Sequence, residues 1–485
     1  MKYLEIAKWG GGESLSYDKI TYDPTDDNVY IKSGYDTSIY WKIDGEKLYL
    51  RATPKENYKE RVLLNDSQGS KNGWIVDEKA TSVTTAIIEE KITPLYCTRF
   101  FHGMTALKDI VNFDMLDVSC CQSLFCMFQL CSSLTSIGDL SNWNVSNVTD
   151  MRSTFNKCSS LTSIGDLSNW DVSNVTDMGS MFQSCSSLTS IGDLSNWNVS
   201  NVTDMNATFN KCSSLTSIGD LSNWNVSKVT DMSLMFGCRI DSGIGAGPKT
   251  LGDLSNWKLN KNGVKLSYFL YYMYNLEDIS WLKNWDMSCV TDIDGMLCEC
   301  RGPKTDLKFI ENWDVSNVVG DEGFNRTFDL LGAGTDANFK FIDDTFTFHW
   351  NLNPKVHSLG RFCHYTLGYK TIDMSEMDFA NITYMGEAFV NNKSQIIKFG
   401  KNLREDMNVV NIFVYQHSLK ELHFLEGTSE KAWQNVANQK PVTVFVGDKV
   451  YKKINNVWTE IDPTTLVSET SEENNITYEA SSPQQ

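Results

Sequence analysis

From Cys131 to Cys238 the sequence repeats almost verbatim every 27 residues: the unit CSSLTSIGDLSNWNVSNVTDMRSTFNK begins at Cys131, and near-copies begin at Cys158, Cys185 and Cys212. A unit of this length is one supersecondary element that cannot close a core alone, so its copies must stack into a solenoid. Each position of the unit then becomes a column along the coil axis. The apolar columns are Trp143, Trp170, Trp197, Trp224; Val145, Val172, Val199, Val226; Val148, Val175, Val202, Val229; Met151, Met178, Met205, Met232; and Phe155, Phe182, Phe209, Phe236. The cysteines and the Leu134 and Ile137 types complete the set. Steps of two and three between apolar positions predict short strands and tight corners, not a long amphipathic helix. Residues 134–137 and 147–149 are expected as strand edges, and 150–155 as one helical turn with Asp150 as its N-cap.

Two polar columns need compensation. Asn142, Asn169, Asn196, Asn223 and Asn256 are expected to form an internal ladder that satisfies turn backbone groups. Asp150, Asp177, Asp204, Asp231 and Asp292 bring like charges together; capping and solvation are the expected compensation, since nothing else resembles a calcium loop. The period fades outwards. Val118, Leu124, Phe128 and Cys131 continue it upstream, with Phe101 and Leu107 suggesting an earlier coil. Trp257, Trp285 and Trp313 continue the tryptophan column at spacings of 33, 28 and 28, after a glycine-rich insertion at 239–250. Met377, Phe379, Ile382, Met385 and Phe389 mark a diverged late copy, and 418–422 a last one. The repeats therefore span roughly 97–427, on the order of twelve coils and about 60 Å at ordinary strand separation.

The phrase LSNWNVSNVTDM, followed by Phe155 and by CSSLTSI, resembles the BspA-like leucine-rich repeat of bacterial surface proteins and gut bacteriophage proteins. The resemblance covers about two thirds of the chain and is most specific over 131–238. It implies a right-handed repeat solenoid used for adhesion or recognition, with no catalytic residues to carry across. The segment 44–52 (DGEKLYLRA) is similar to the small β domain that often precedes such repeats. The fold class expected is mainly β with short helical turns: a BspA-like leucine-rich repeat solenoid at 96–428, a small N-terminal antiparallel β domain at 1–95, a C-terminal cap with a β-hairpin at 429–461, and a flexible acidic tail at 462–485.

The flanks differ in kind from the repeats. Strand-like runs at 28–32 and 39–43 meet an Asp44-Gly45 turn, and 441–454 reads as a hairpin with a third strand or turn at 455–460. Val446-Gly447-Asp448-Lys449 and Tyr451-Lys452-Lys453-Ile454 look similar to the termini of phage virion proteins, and a plain solenoid cap explains them equally well. The formal net charge of −18 argues against nucleic acid or an anionic membrane as partner. No run approaches 18 apolar residues, and the start (Met1 to Gly10) has no export-signal pattern, which fits a virion component released by lysis or a chain whose leader was removed. The 13 cysteines, mostly in one column, are expected as free thiols.

No convincing catalytic or metal constellation is present. Six histidines are scattered; His357 and His364 flank Cys363 at positions that align with packing columns, and Cys289, Cys298 and Cys300 lack zinc spacing. Gly10-Gly11-Gly12 lacks the Lys-Ser/Thr of a phosphate loop. The chain is expected to be no enzyme and to need no cofactor. The candidate binding residues lie in an irregular coil, where Tyr268, Tyr271, Tyr272 and Tyr274 align with Ser153, Asn156, Lys157 and Ser159. Four tyrosines on polar positions make an exposed aromatic patch suited to glycan stacking or protein contact, unless the 239–250 insertion folds over them. The leading expectation is a non-enzymatic recognition protein, a phage fibre or decoration protein on the virion surface whose partners are a cell-surface protein or glycan and other virion proteins. A bacterial cell-surface adhesin is the alternative, and an intracellular interaction scaffold or a degrading enzyme appended to repeats comes third.

Overall fold

The computed structural model describes residues 19–22, 29–32, 39–60, 63–66, 69–72, 79–238, 247–300, 307–319, 323–329, 345–364 and 369–466. Most of the 239–250 insertion, the N-terminal ten residues with the triple glycine, and the acidic tail from residue 467 lie outside them. The chain divides into two compact units: Met1–Asp306 with Leu330–Gly332, and Leu307–Asp329 with Ala333–Gln485.

The first unit starts with two small sheets. Strands β1 (Lys19–Tyr22), β2 (Val29–Lys32), β6 (Leu63–Asp66) and β7 (Gly69–Asn72) form an antiparallel sheet in the order β1-β2-β6-β7. The second sheet runs β5-β3-β4-β8-β9, from β3 (Tyr40–Asp44), β4 (Lys47–Arg51), β5 (Lys59–Glu60), β8 (Thr85–Ile88) and β9 (Asp109–Val111). Its β3–β4 hairpin turns at Gly45, whose φ of 59° suits glycine in a tight turn. From β4 onward the pairing is parallel, β4 to β8 and β8 to β9. The sheet thus converts a hairpin into the first rung of the coil, and the first coil has no bare edge.

The apolar columns fill the unit's interior. Phe101, Phe128, Phe155, Phe182, Phe209 and Phe236 stack with centroids 5.3–5.8 Å apart and planes within 16°. Trp143, Trp170, Trp197 and Trp224 stack at 6.3–6.4 Å, within 5° of parallel. Each later indole also donates to a carbonyl of the preceding coil: Trp170 to Leu140, Trp197 to Leu167 and Trp224 to Leu194, each at 2.9 Å. A large apolar ring and a buried backbone acceptor are satisfied by one residue type, which explains why tryptophan recurs. The thiols of Cys131, Cys158, Cys185 and Cys212 likewise point at the carbonyls of Phe101, Phe128, Phe155 and Phe182, 3.0–3.1 Å away. All 13 cysteines are free.

Three local expectations are corrected. The strand edges shrink to single-residue parallel bridges, Ser136 to Ser163 and a ladder Ser123, Asp150, Asp177, Asp204, Asp231, Lys265. The 150–155 stretch is not a helical turn. Alternate N–H groups (Met151, Ser153, Phe155, Lys157) donate to the next coil at Asp177, Gly179, Met181 and Gln183, while Thr154, Asn156 and Cys158 donate three residues back within their own coil. With every second donor committed between coils, no i to i−4 ladder can form. This corkscrew needs left-handed residues at Ser153 (φ 54°) and Lys157 (φ 62°), and the same two positions repeat at Ser180 and Ser184 and at Ala207 and Lys211. Asp150 caps the N–H of Arg152, two residues on, not a helix.

The third correction concerns the asparagines. Asn142, Asn169, Asn196 and Asn223 are exposed. The buried amide ladder lies at the Asn156 position, where Gln129 donates to Asn156 (3.3 Å), Asn156 to Gln183 (2.6 Å), Gln183 to Asn210 (3.4 Å) and Asn210 to the carbonyl of Gly237 (3.0 Å). An alternating Gln/Asn column places donor against acceptor from coil to coil, so these half-buried and buried amides stay paired. A glycine column (Gly165, Gly192, Gly219, φ near 85°) recurs elsewhere in the coil; a Cβ on Gly192 would overlap the carboxylate of Asp166.

In the first unit's coils two short strands, β10 (Val264–Lys265) and β11 (Val290–Asp292), pair in parallel, and the second unit carries a longer run of such pairs. β12 (Thr345–Thr347), β13 (Thr371–Asp373), β14 (Ile396–Lys398) and β15 (Glu421–Phe424) pair in parallel, one per coil. Met377, Phe379, Ile382, Met385 and Phe389 are buried as columns of this stack. After β15, helix α1 (Glu430–Ala437) buries Ala432, Trp433, Val436 and Ala437, with Ser429 Oγ accepting the Ala432 N–H. β16 (Thr443–Val446) then joins β15 in parallel, and β17 (Lys449–Ile454) and β18 (Val457–Ile461) finish as an antiparallel meander. The hairpin cap is as expected. The sequence reading missed α1, although Ser429 and the apolar spacing 432, 433, 436, 437 signal it.

Candidate functional site

The four tyrosines occupy one corkscrew. Tyr268 (φ 55°) and Tyr272 (φ 61°) take the two left-handed positions. Tyr271 takes the Asn156 position, just where the amide ladder has ended at Gly237, and so it is buried (8% exposed). It belongs to the interior and not to an exposed patch. Tyr268, Tyr272 and Tyr274 are half-buried around it. The rings pack edge to face in series, Tyr268 to Tyr271 at 5.0 Å, Tyr271 to Tyr272 at 4.5 Å and Tyr272 to Tyr274 at 5.5 Å. Tyr274 donates its hydroxyl to Glu299 (3.1 Å), and Gly295 leaves room for the Tyr268 ring, which any Cβ there would overlap. The result is a packed aromatic wedge with three partly accessible edges.

A second departure from the repeat lies at the start of the tryptophan column, and the sequence reading did not find it. Leu116 stands where the next coil has Trp143. The shorter side chain leaves a cleft of about 920 Å³, lined among others by Trp143, Phe113, Leu116, Lys108, Asp117 and Asn144. Trp143 is half-buried, tilted against Phe113 at 5.2 Å. Its indole N–H has no acceptor among the described residues, whereas every tryptophan from Trp170 to Trp257 donates to a leucine carbonyl. Asp117 is fixed at the rim by Lys91 (2.9 Å). Its hydrogen bonds to Ser119, and then Lys91, pull the carboxyl down to about 2, so it presents a permanent charge. An aromatic face beside fixed carboxylate, amide and ammonium groups can take a polyhydroxylated ring by stacking and hydrogen bonding.

A third cleft, in the second unit, is lined by Arg326, His357, Arg361, Tyr384 and Glu387 and encloses about 790 Å³. The signal for it was in the columns: arginine stands where the regular coils have Ser153 and Ser180.

The aspartate column is electrostatically loaded. Asp177 sits between Asp150 and Asp204, its Oδ1 accepting the Gly179 N–H (3.0 Å) and its Oδ2 lying 3.3 Å from Arg152 Nε. Burial pushes its carboxyl up to about 6, and it raises Asp204 as well. Among the described residues no group of three or more His, Cys, Asp or Glu side chains is placed to hold a metal ion. His364 pairs with Asp329 (2.6 Å), and Cys363 between it and His357 is buried, its thiol pushed well up by burial. No helix among the described residues is long and apolar enough to cross a membrane.

Residues 96–192, 165–262 and 265–330 match a family model described as a Mycoplasma protein of unknown function, DUF285. No curated protein matches the chain. Among solved structures, a leucine-rich repeat protein from Bacteroides ovatus is similar at 13% identity, covering 84% of this chain and 98% of that one, with a TM-score of 0.30.

Proposed function

We propose that this repeat protein of the leucine-rich, BspA-like kind is a non-enzymatic recognition protein, carried on a phage virion as a fibre or decoration component that engages a cell-surface glycan or protein. The observation that carries the reading is the placement of the aromatic departures. Inside, identical rings are sealed against one another; at the Leu116 step a tryptophan with an uncommitted N–H opens into a polar cleft. That is what a binding surface on a rigid scaffold requires: the spine fixes position, and the broken column supplies the contact. The virion placement is supported by the likeness of the β16–β17 hairpin sequence to phage structural proteins and by the family resemblance.

Fluorescently labelled full-length protein should adhere to a subset of bacterial cells from the source community, and antibody gold should decorate purified virions. Trp143→Ala should reduce adherence about tenfold while the protein, though less stable by the loss of a stacked ring, stays folded at the assay temperature, as its unfolding transition will show. Gold on bacterial envelopes and none on virions would favour a bacterial adhesin. Absence of both labelling and adherence would refute recognition altogether.

A further inference from the structure

The cleft of the second unit breaks the repeat's own chemistry in three adjoining coils. Arg326 and Arg361 occupy the left-handed corkscrew position (φ 57° and 53°), followed by Glu387 (φ 58°). The coils are locked in register: Arg326 N–H donates to the Gly360 carbonyl (3.0 Å) and Arg361 N–H to that of Gly386 (3.1 Å). The two arginines therefore stand on neighbouring rungs of the solenoid. Arg361 Nε is held by Glu387 (2.6 Å), which aims its guanidinium and leaves both terminal nitrogens without an acceptor among the described residues. Arg326 has no acidic partner among the described residues. Tyr384 takes the position of the aspartate column, in a bridge with Ser358, and is 37% exposed. Its ring lies over two glycines: a Cβ on Gly360 would come within 2.7 Å of it, and one on Gly386 would overlap its hydroxyl end. Asn325, Ser358 and Thr383 supply neutral polar groups around the same space.

We propose that this cleft binds a carboxylated saccharide, its carboxylate between Arg326 and Arg361 and its ring on the face of Tyr384. Two guanidinium forks on adjacent rungs match a planar carboxylate better than any neutral group, and in a chain of net charge −18 their juxtaposition is a local exception. The flat aromatic face receives the C–H side of a pyranose, while Ser358, Thr383 and Asn325 meet its hydroxyls. A volume of about 790 Å³ lies within the ~300–1,000 Å³ of small-ligand sites. This inference rests on the recognition reading above and names the ligand class for one of its surfaces.

The test is calorimetric titration of the full chain with trigalacturonate and with sialyllactose, against methyl-esterified trigalacturonate, lactose and sodium sulfate. At least one carboxylated saccharide should bind, about tenfold or more above its uncharged counterpart, and more weakly as salt rises. Arg326→Gln and Arg361→Gln should each cost about tenfold in affinity, Arg326→Lys less than Arg326→Gln, and Tyr384→Ala a comparable loss, with melting temperatures recorded for all. If an arginine variant fails to fold, the ester comparison and salt dependence of the unaltered protein decide. Equal binding of ester and acid overturns the proposal, as does no binding of either acid, or full competition by sulfate, which would mark a simple anion site. Intact cell adherence in Arg326→Gln with saccharide binding lost would keep both readings and assign adherence to another surface. Saccharide binding with neither cell adherence nor virion labelling would sink the recognition reading alone.

Discussion

Replacing Asp177 by Asn should stabilise the protein at neutral pH and leave it unchanged in mild acid. Asp177 is flanked in its column by Asp150 and Asp204, and burial raises its carboxyl to about 6 against roughly 3.9 for an unfolded aspartate. Between those two values the folded chain holds a proton that the unfolded chain has released. The stability contributed by that proton is fully present below about pH 4 and is lost as pH rises through about 6. A rise of that size corresponds to about 3 kcal/mol at most; with the side chain 24% exposed and Arg152 alongside, solvent screening brings it to about 1 kcal/mol. Asparagine keeps the Oδ1 acceptor for the Gly179 N–H and removes the charge. The chain itself uses that solution at Asn408, which stands in a bridge with Tyr384 and accepts the Val410 N–H at 3.1 Å. Arg152 retains its 2.6 Å pair with Asp150. Guanidinium denaturation followed by tryptophan fluorescence, at pH 7.5 and pH 4.0, should show a gap of about 1 kcal/mol at the first pH and none at the second. Asp204→Asn should act in the same direction. A less stable variant at pH 7.5, or an equal gap at both values, would refute the account of the column as charge-strained.

Trp197→Phe keeps a ring in the stack but leaves the Leu167 carbonyl without its indole donor, so it should cost about 2–3 kcal/mol, whereas Trp143→Phe should cost less than half of that; thermal unfolding of the two variants makes the comparison. Iodoacetamide on the native protein should modify Cys120, the one exposed cysteine, and spare the column Cys131, Cys158, Cys185 and Cys212, whose thiols burial holds protonated far above neutral pH; peptide mass spectrometry reads the pattern. At the left-handed position of Ser180, Ser180→Gly should be neutral to about 1 kcal/mol stabilising, because relief of ~1–2 kcal/mol of strain exceeds glycine's entropy cost, while Ser180→Val should cost about 2 kcal/mol or more in the same unfolding assay.

What the sequence disclosed was whatever repeats by residue name. Trp170, Val172, Met178, Phe182 and Cys185 recur unchanged, and identity in a one-dimensional stack can only mean a shared environment. The amide ladder stayed hidden because its members alternate, Gln129, Asn156, Gln183, Asn210, and an amide in isolation reads as surface. Conversely, Asn169 and Asn196 recur in name and are exposed; their constancy serves one-turn 3-10 corners such as Leu194–Asn196, capped by Asp193. The corkscrew at Met151–Cys158 was illegible for another reason. Ser153 and Lys157 carry no left-handed preference, and only the hydrogen bonds to Gly179 and Gln183 in the next coil hold them there. The same limit applied to the site. Tyr271 aligned with a polar residue, but that residue, Asn156, was itself buried.

The places where the columns fail share one physical condition. A side chain in the regular stack is confined by its counterparts above and below, so a larger ring can enter a surface column only where a neighbour has been cut back. Trp143 opens because Leu116 is shorter than tryptophan. Tyr268 fits because position 295 is glycine, and Tyr384 lies flat because positions 360 and 386 are glycine. For Trp143 a single change, Leu116, suffices; for Tyr268 and Tyr384 the ring and a glycine in the adjacent coil are needed together, and the ring alone would clash at a cost of about 1–3 kcal/mol. Drift in a repeat degrades columns one residue at a time. Paired departures such as Tyr384 with Gly360, set beside Arg326 and Arg361, are therefore not what drift produces, and they support the binding reading proposed for that cleft.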